Sequence, residues 1–148
     1  MQRETTIRKM LVKDLKEVYE LEVRLFPNPW PLSFFEADLR VPGTVAFVVE
    51  NQGELIGYSM STVGKEGFHV TNIAIAQEHQ RMGIGSRLMH MLENIARERG
   101  CSRAYLEVRI TNKSAIKMYE KLGYKIAHVQ KLYYMDGDDA YVMEKELV

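Results

Sequence analysis

The sequence contains little cysteine, no net charge and no long apolar run, and each shortage excludes a class of protein. A single cysteine, Cys101, provides neither an internal disulfide nor a set of thiolates for a metal, so a reducing compartment, by default the cytoplasm, is expected. The 20 basic and 20 acidic residues cancel, which argues against nucleic acid or an anionic membrane surface as a partner. The charged N-terminus MQRETTIRKM predicts no signal peptide, and no stretch approaches the roughly 20 apolar residues of a membrane span.

Proline is also scarce, and most of it stands in one short stretch, at Pro27, Pro29 and Pro31. Because proline cannot continue a helix but is accepted in the first turn of one, this stretch predicts a stiff loop between two helices. The chain has 148 residues, with no internal repeat and no low-complexity tract. This length can bury one hydrophobic core, so residues 1–148 are predicted to form a single domain.

Two hydrophobic periodicities alternate along the chain, one typical of strands and the other of helices. Strands are predicted over Thr5–Met10, Thr44–Glu50, Leu55–Thr62, Phe68–Ala76, Ala104–Val108, Lys125–Tyr134 and Tyr141–Glu146. Helices are predicted between an N-cap at Asp14 and Pro27, from Pro31 to Leu39, from a glycine turn to Gly100, and between a cap at Asn112 and Gly123.

The order of these elements predicts the fold class. Strands first alternate with helices and then pair with each other, which favours an α/β fold of three layers. Its mixed, mostly antiparallel central sheet would carry helices on both faces. The polar face of the third helix is expected to carry Arg87, Glu93, Arg97 and Glu98.

The glycine turn is the clearest candidate for a binding site. Gln80, Arg81, Gly83 and Gly85 spell Q-R-x-G-x-G between a strand and a helix. Glycine lets backbone amides approach a ligand closely, and the helix dipole then favours an anion such as a pyrophosphate. No Lys-Ser/Thr follows as in a P-loop, and Leu88 replaces the third glycine of a dinucleotide fingerprint. A tight turn without a ligand remains the plain alternative.

The turn resembles the signature Q/R-x-x-G-x-G/A of the GNAT superfamily of acyl-CoA-dependent N-acyltransferases. LEVRITNKSAIKMYEKLGY, at Leu106–Tyr124, is similar to the second half of that family, N-x-x-A-x-x-x-Y-x-x-x-G-F/Y, and follows at the right separation. The resemblance covers Phe68–Val129. Within the superfamily, HVTNIAI from His69, LEVR from Leu106 and the pair Tyr133-Tyr134 resemble the RimI and Ard1 branch, which acetylates protein N-termini.

The resemblance implies a GNAT fold and direct transfer, in a ternary complex, from acetyl-CoA as co-substrate to an N-terminal α-amine, with no metal. The positions that match the family's cofactor site are Ile73, Ala74, Ile75, Arg81, Met82, Gly83, Ile84, Gly85, Ser86 and Asn112. Asn112 is also a good helix cap without any ligand. The implied acceptor-binding residues are Phe26 and Pro27 on one wall and Tyr133 and Tyr134 on the other.

Three residues match the catalytic positions of the family. Glu107 corresponds to the general base, and His69 is the second candidate because imidazole has a suitable pKa. Tyr119 corresponds to the acid, and with a pKa near about 10 it can protonate a thiolate leaving group. The alternatives stay open: a solvent-facing carboxylate, an ordinary strand histidine and a core tyrosine. Cys101 lies far along the chain from the acyl-holding strand, so no acetyl-cysteine intermediate is expected.

Two other functions are compatible with these motifs. The same fold could acetylate a lysine side chain, a polyamine or an antibiotic amine, because a fold does not define the acceptor. The chain could also be a non-catalytic acyl-CoA-binding module or subunit. Glu107 and Tyr119, which match the family's base and acid, argue against this last alternative. The sequence predicts neither the oligomeric state nor the preferred first residue of the acceptor.

Overall fold

The predicted strands and helices all form, with shifted ends, in a computed structural model that describes residues 5–147. The strands are β1 (Thr5–Lys9), β2 (Thr44–Asn51), β3 (Glu54–Gly64), β4 (Gly67–Ile75), β5 (Arg103–Arg109), β6 (Lys125–Gln130) and β7 (Ala140–Glu146). The α-helices are α1 (Leu15–Leu25), α2 (Leu32–Leu39), α3 (Ile84–Glu98) and α4 (Lys113–Lys121). Residues 1–4, where the predicted charged N-terminus begins, lie outside the described residues, as does residue 148. Within 5–147 no helix is both long and apolar enough to cross a membrane.

Helix α1 begins directly after Asp14, as predicted, but the Asp14 side chain does not cap it. The carboxylate accepts a hydrogen bond of 2.7 Å from the Leu11 amide and pairs with Arg8 of β1 at 2.8 Å. Arg8 thereby lowers the pKa of Asp14. The predicted capping role is therefore wrong, because an arginine on the neighbouring strand takes the carboxylate.

The strands form one mixed sheet in the order β1-β2-β3-β4-β5-β7-β6. Each neighbouring pair is antiparallel except β4 and β5, which run parallel. A helix must therefore connect β4 to β5, and α3 makes that crossover. The predicted mixed, mostly antiparallel sheet is confirmed.

The parallel pair β4–β5 is short and opens toward the C-terminal ends of both strands. Pairing joins Phe68–Val70 to Ala104–Leu106 and extends no further within the described residues. On its other edge β4 carries a bulge, since Val70 lies opposite Ser61 whereas Asn72 lies opposite Met60, which leaves Thr71 as the extra residue. A bulge bends its strand and increases the local twist. The strand therefore turns away from β5 where the pairing ends.

The two faces of the sheet carry different helices. On one face α1 reaches β3 through a hydrogen bond from Tyr58 to Glu22. On the other face α3 reaches β7 through an ion pair of 2.9 Å between Glu93 and Lys145. Side chains alternate between the faces along each strand, and the register puts His69 of β4 on the α1 face. This face is the one on which the candidate catalytic residues of β4 and β5 meet.

The last hairpin is shorter than predicted. Strand β6 ends at Gln130, so the strand expected to continue to Tyr134 is too long. Leu132 adopts a φ of 53°, in the left-handed region, which interrupts an extended backbone. The Leu132 amide donates a hydrogen bond of 2.9 Å to the Asp139 carboxylate. Residues 131–139 therefore form a structured loop between β6 and β7 rather than strand and tight turn.

Glu93 does not lie on the polar face of α3, where it was predicted. It is 2% exposed, pairs with Lys145 and accepts a hydrogen bond of 2.9 Å from the Tyr124 hydroxyl. Helical periodicity puts this position at the border of the apolar face, and two polar partners on other elements make its burial possible. Glu93 thus joins α3, β7 and the turn after α4.

Candidate active site

The glycine turn leads directly into α3. Gly83 occupies the N-cap position with a φ of 79°, and it provides no capping side chain. A Cβ at Gly83 would meet no described atom within 4 Å, so the space beside the backbone is open. The amides of the first turn, which a helix cannot satisfy by itself, are those of Ile84, Gly85 and Ser86. This geometry fits an anion such as a pyrophosphate.

Neighbouring residues fix the shape of the turn. Gln80 donates a side-chain hydrogen bond of 2.9 Å to the Ile75 carbonyl at the end of β4. Arg81, with a φ of 66°, and Met82 are exposed in the turn. A Cβ added at Gly85 would lie 3.4 Å from the Met118 sulfur, so glycine permits close approach of α3 and α4. The predicted phosphate-binding residues therefore lie next to each other, with residues 81–83 exposed in the turn and residues 84–86 in the first turn of α3, where Ile84 is buried.

Strand β4 presents its backbone to the opening in the sheet. Ile73 is half-buried, and Ala74 and Ile75 are buried. These residues follow Val70, the last residue of β4 that pairs with β5. No strand pairs with their β5-facing backbone groups among the described residues, as at a sheet edge, while the Ile75 carbonyl accepts the side-chain hydrogen bond from Gln80. An extended ligand such as a pantetheine arm could therefore pair with β4 here.

Glu107 and His69 meet beside this opening. Glu107 directly follows Leu106, the last β5 residue paired with β4. His69 Nε2 lies 2.7 Å from Glu107 Oε1, and in the neutral imidazole this nitrogen donates the hydrogen bond. Tyr133 also lies beside Glu107. Partial burial and the charge of Glu107 raise the pKa of Tyr133, so its hydroxyl remains a donor.

A stack of side chains fixes the plane of the His69 ring. The imidazole lies parallel to the ring of Tyr105, with centroids 4.4 Å apart. The Arg103 guanidinium lies over the same ring, 4.4 Å from its centroid. Arg103 in turn donates a hydrogen bond of 2.7 Å to Glu144. Because the ring plane is held, the direction of the bond from His69 to Glu107 is held as well.

Tyr119 lies near the C-terminal end of α4 and is 6% exposed. Its ring contacts the ring of Tyr124 edge-on, with centroids 6.1 Å apart. Burial is the main cause that raises the pKa of Tyr119, and the neighbouring phenol of Tyr134 raises it further. The hydroxyl therefore keeps its proton at neutral pH, as an acid must before it acts. Asn112 begins the same helix and accepts a hydrogen bond of 3.3 Å from the Ala115 amide, so its predicted capping role is confirmed.

Arg109 holds the loop between β6 and β7 in place. Its guanidinium donates to Asp136 at 2.9 Å and to Asp138 at 2.8 Å, and it lies 4.0 Å from the ring centroid of Tyr134. Burial raises the pKa of Tyr134 to about 12. Tyr133 and Tyr134 also contact each other edge-on at 4.9 Å. One arginine of β5 therefore fixes the two tyrosines that the sequence predicted as an acceptor wall.

The other predicted acceptor wall consists of Phe26 and Pro27, on the loop between α1 and α2. Phe26 is half-buried and Pro27 is exposed. Within residues 5–147 no hydrogen bond or ring contact joins Phe26 to Tyr133 or Tyr134, so the two predicted walls do not touch each other. The loop is tied instead to Glu22, which accepts a hydrogen bond of 3.0 Å from the Trp30 amide.

Sequence reasoning missed several residues of this site. Tyr105 and Glu22 support the predicted residues but belong to none of the motifs named above, and Arg109, although it ends the LEVR motif, had no predicted role. Glu22 had a detectable signal, since it stands four residues after Val18 on the apolar face of α1. Within residues 5–147 no three His, Cys, Asp or Glu side chains converge as they would around a metal ion.

Comparisons with known proteins define the class of this protein. Residues 15–124 match the model of the acetyltransferase (GNAT) family. An N-alpha-acetyltransferase of Sulfurisphaera tokodaii is 33% identical over 159 aligned positions, which cover 98% of this chain and 95% of that protein. The chain belongs to the GNAT family and is an acetyl-CoA-dependent N-acetyltransferase.

Solved structures indicate which branch of the GNAT family this chain resembles. The ribosomal-protein-S18-alanine N-acetyltransferase from Escherichia coli superposes with a TM-score of 0.88 at 29% identity, covering 97% of this chain and 94% of its own. Ard1 from Thermoplasma volcanium superposes with a TM-score of 0.89 at 26% identity, covering 98% of this chain and 99% of its own. The resemblance to the RimI and Ard1 branch, predicted from the motifs, is confirmed.

Proposed function

We propose that this protein transfers the acetyl group of acetyl-CoA to the N-terminal α-amine of other proteins. The observation that carries the proposal is the cluster of Glu107, His69 and Tyr133 beside the opening between β4 and β5. In this cluster a carboxylate lies at the end of the parallel pairing, next to the edge of β4 that β5 does not pair with. The similar proteins named above are N-alpha-acetyltransferases, which supports an N-terminal acceptor.

Two sets of backbone groups, one at the start of α3 and one at the end of β4, fit acetyl-CoA. The first-turn amides of α3 and the exposed Arg81 would hold the pyrophosphate, and Ile73 to Ile75 would pair with the pantetheine arm. Asn112, exposed at the start of α4, would contact the cofactor as well as cap its helix. The chemistry that acetyl-CoA supplies is a thioester carbonyl carbon that an amine can attack, with a thiolate as the leaving group.

Glu107 acts as the general base. The α-ammonium of the acceptor must lose a proton before its nitrogen can attack, and Glu107 takes that proton directly or through one water. His69 donates its Nε2 hydrogen to Glu107 and so has only Nδ1 left as an acceptor. We therefore assign His69 the role of orienting Glu107. The neutral amine then forms the new carbon–nitrogen bond, and the nitrogen loses its second proton to solvent as the tetrahedral intermediate collapses to the amide.

Tyr119 acts as the general acid. When the carbon–sulfur bond breaks, the sulfur takes the electron pair, and Tyr119 donates its phenolic proton to it. The transfer moves the negative charge from the sulfur to the phenol oxygen, and the burial that raises the pKa of Tyr119 favours rapid return of a proton to that oxygen. The phenolate then recovers a proton from solvent.

An α-amine suits a weak base of this kind. Its pKa of about 8 lies more than two units below the value of about 10.4 for lysine, which saves about 3 kcal/mol in producing the neutral amine. Phe26 and Pro27 on one side and Tyr133 and Tyr134 on the other would contact the first residues of the acceptor. Fixed aromatic side chains of this kind sort substrates by shape.

We further propose that residues 1–148 form one catalytic domain that acts in the cytoplasm. The single sheet joins strands from both ends of the described chain, which supports one domain. The lone cysteine and the zero net charge support a reducing compartment and a protein acceptor rather than nucleic acid or a membrane surface.

The acceptor can be tested with matched peptides. A peptide with a free N-terminus and an internal lysine should release CoA from acetyl-CoA and gain one acetyl group at its first residue. The same peptide with a blocked N-terminus should release none, because only the less reactive lysine remains. The measurement is thiol release combined with mass-spectrometric mapping of the acetylated position. Equal turnover of the blocked peptide would show that the acceptor is a side-chain amine.

The assignment of base and orienting residue can be tested with a double-mutant cycle. Glu107→Gln should lower kcat/KM about 100-fold, and His69→Phe, which keeps the stack on Tyr105, should lower it about tenfold. The double variant should fall about as far as Glu107→Gln alone, since both changes affect one proton transfer. If His69→Phe were the more damaging change, His69 would be the base.

The acid can be tested against a neighbouring tyrosine. Tyr119→Phe should lower kcat about 100-fold while acetyl-CoA binding is retained. The control is Tyr124→Phe, which removes a hydroxyl bound to Glu93 and should cost about 1 kcal/mol in the free energy of unfolding but leave kcat unchanged. Initial rates, cofactor titration and chemical denaturation of both variants provide the comparison. Unchanged kcat in Tyr119→Phe would refute the assignment.

A further inference from the structure

Glu22 is a buried carboxylate whose hydrogen-bond partners come from three different parts of the chain. It lies in α1 and is 2% exposed. It accepts hydrogen bonds from the Trp30 amide at 3.0 Å, from the Asn72 side chain at 2.9 Å and from the Tyr58 hydroxyl. Within residues 5–147 no lysine, arginine or histidine pairs with it. A buried carboxylate of this kind depends entirely on its donors.

Two of these donors border the proposed active site from opposite directions. Trp30 lies in the loop between α1 and α2, a few residues after Phe26 and Pro27. Asn72 follows the bulge at Thr71, where β4 turns away from β5, and it shares the α1 face with His69. Glu22 therefore links the loop that would contact the acceptor to the strand edge that would hold the acyl donor.

Aromatic contacts extend the same link. Trp30 packs against Phe35 with ring centroids 5.1 Å apart, and Phe35 packs edge-on against Tyr58 at 6.0 Å. Burial and the charge of Glu22 raise the pKa of Tyr58, so that hydroxyl stays a donor. The position of the loop is thus fixed by one carboxylate and by the rings that surround its partners.

We propose that Glu22 is a positioning residue that sets the affinity for the acceptor by holding the loop between α1 and α2 against β3 and β4. The inference rests on the proposed function, because it takes this loop as an acceptor wall. Glu22 touches neither substrate in this role. Its loss should raise the KM for the acceptor rather than slow proton transfer at Glu107.

The test compares two equally buried glutamates. Glu22→Gln keeps the shape but replaces one acceptor oxygen with a donor, so at least one of the three donors loses its partner. Glu93→Gln makes the same chemical change at a site that is also 2% exposed, but between α3 and β7. Both variants should be less stable than the wild type. Only Glu22→Gln should raise the KM for the peptide, by about fivefold, with kcat and the KM for acetyl-CoA nearly unchanged.

A second readout does not depend on turnover. Trp30 is the only tryptophan in the chain, so its fluorescence reports the loop alone. Quenching of Trp30 by acrylamide should increase about twofold in Glu22→Gln and stay at the wild-type value in Glu93→Gln. If Glu22→Gln does not fold, Tyr58→Phe, which removes one donor and keeps the ring against Phe35, should move both readouts in the same direction by less.

The outcomes separate the two proposals. A rise in peptide KM together with increased quenching, in Glu22→Gln alone, would support the role of Glu22. Identical behaviour of the two glutamine variants would overturn it, as would a change in only one of the two readouts. A wild-type protein that does not acetylate free N-termini would refute the proposed function itself.

Discussion

The short parallel pairing of β4 with β5 is the constraint on which the candidate site depends. It joins three residues of each strand, and the strands then separate where Thr71 bulges out of β4. If the pairing continued, the backbone of Ile73 to Ile75 would be satisfied by β5 and could not receive a ligand. Because it stops, Glu107 stands at the edge of a gap. The sheet therefore contains an opening between β4 and β5, with paired strands on either side of it.

The proposed reaction needs two opposite proton transfers, and two residues from different elements are proposed to supply them. Glu107 and His69 lie on the face shared with α1, where a carboxylate and its hydrogen-bond donor meet. Tyr119 comes from α4 and is almost fully buried, so its phenol keeps its proton. In the proposed reaction the amine loses its proton on one side of the gap and the sulfur gains one on the other.

The parts of this site that could be predicted are those encoded at fixed short spacings. The glycines at positions 83 and 85 and the helix from Asn112 to Tyr119 are local patterns, and their geometry agrees with the prediction. Residues that depend on distant partners were missed or misplaced. The donors to Glu22 lie 8, 36 and 50 residues away along the chain, so no short pattern could reveal them. Likewise Glu93 is buried through Tyr124 and Lys145, which helical periodicity alone cannot foresee.

Direct transfer between two substrates bound at once is the central claim, and initial-rate kinetics tests it most directly. Acetyl-CoA and a peptide with a free N-terminus should be varied against each other, and CoA release measured. A ternary complex around Glu107 and Tyr119 predicts double-reciprocal lines that intersect. Parallel lines, together with an acetylated enzyme isolated in the absence of peptide, would show a covalent intermediate, for example at the half-buried Cys101, and would contradict direct transfer.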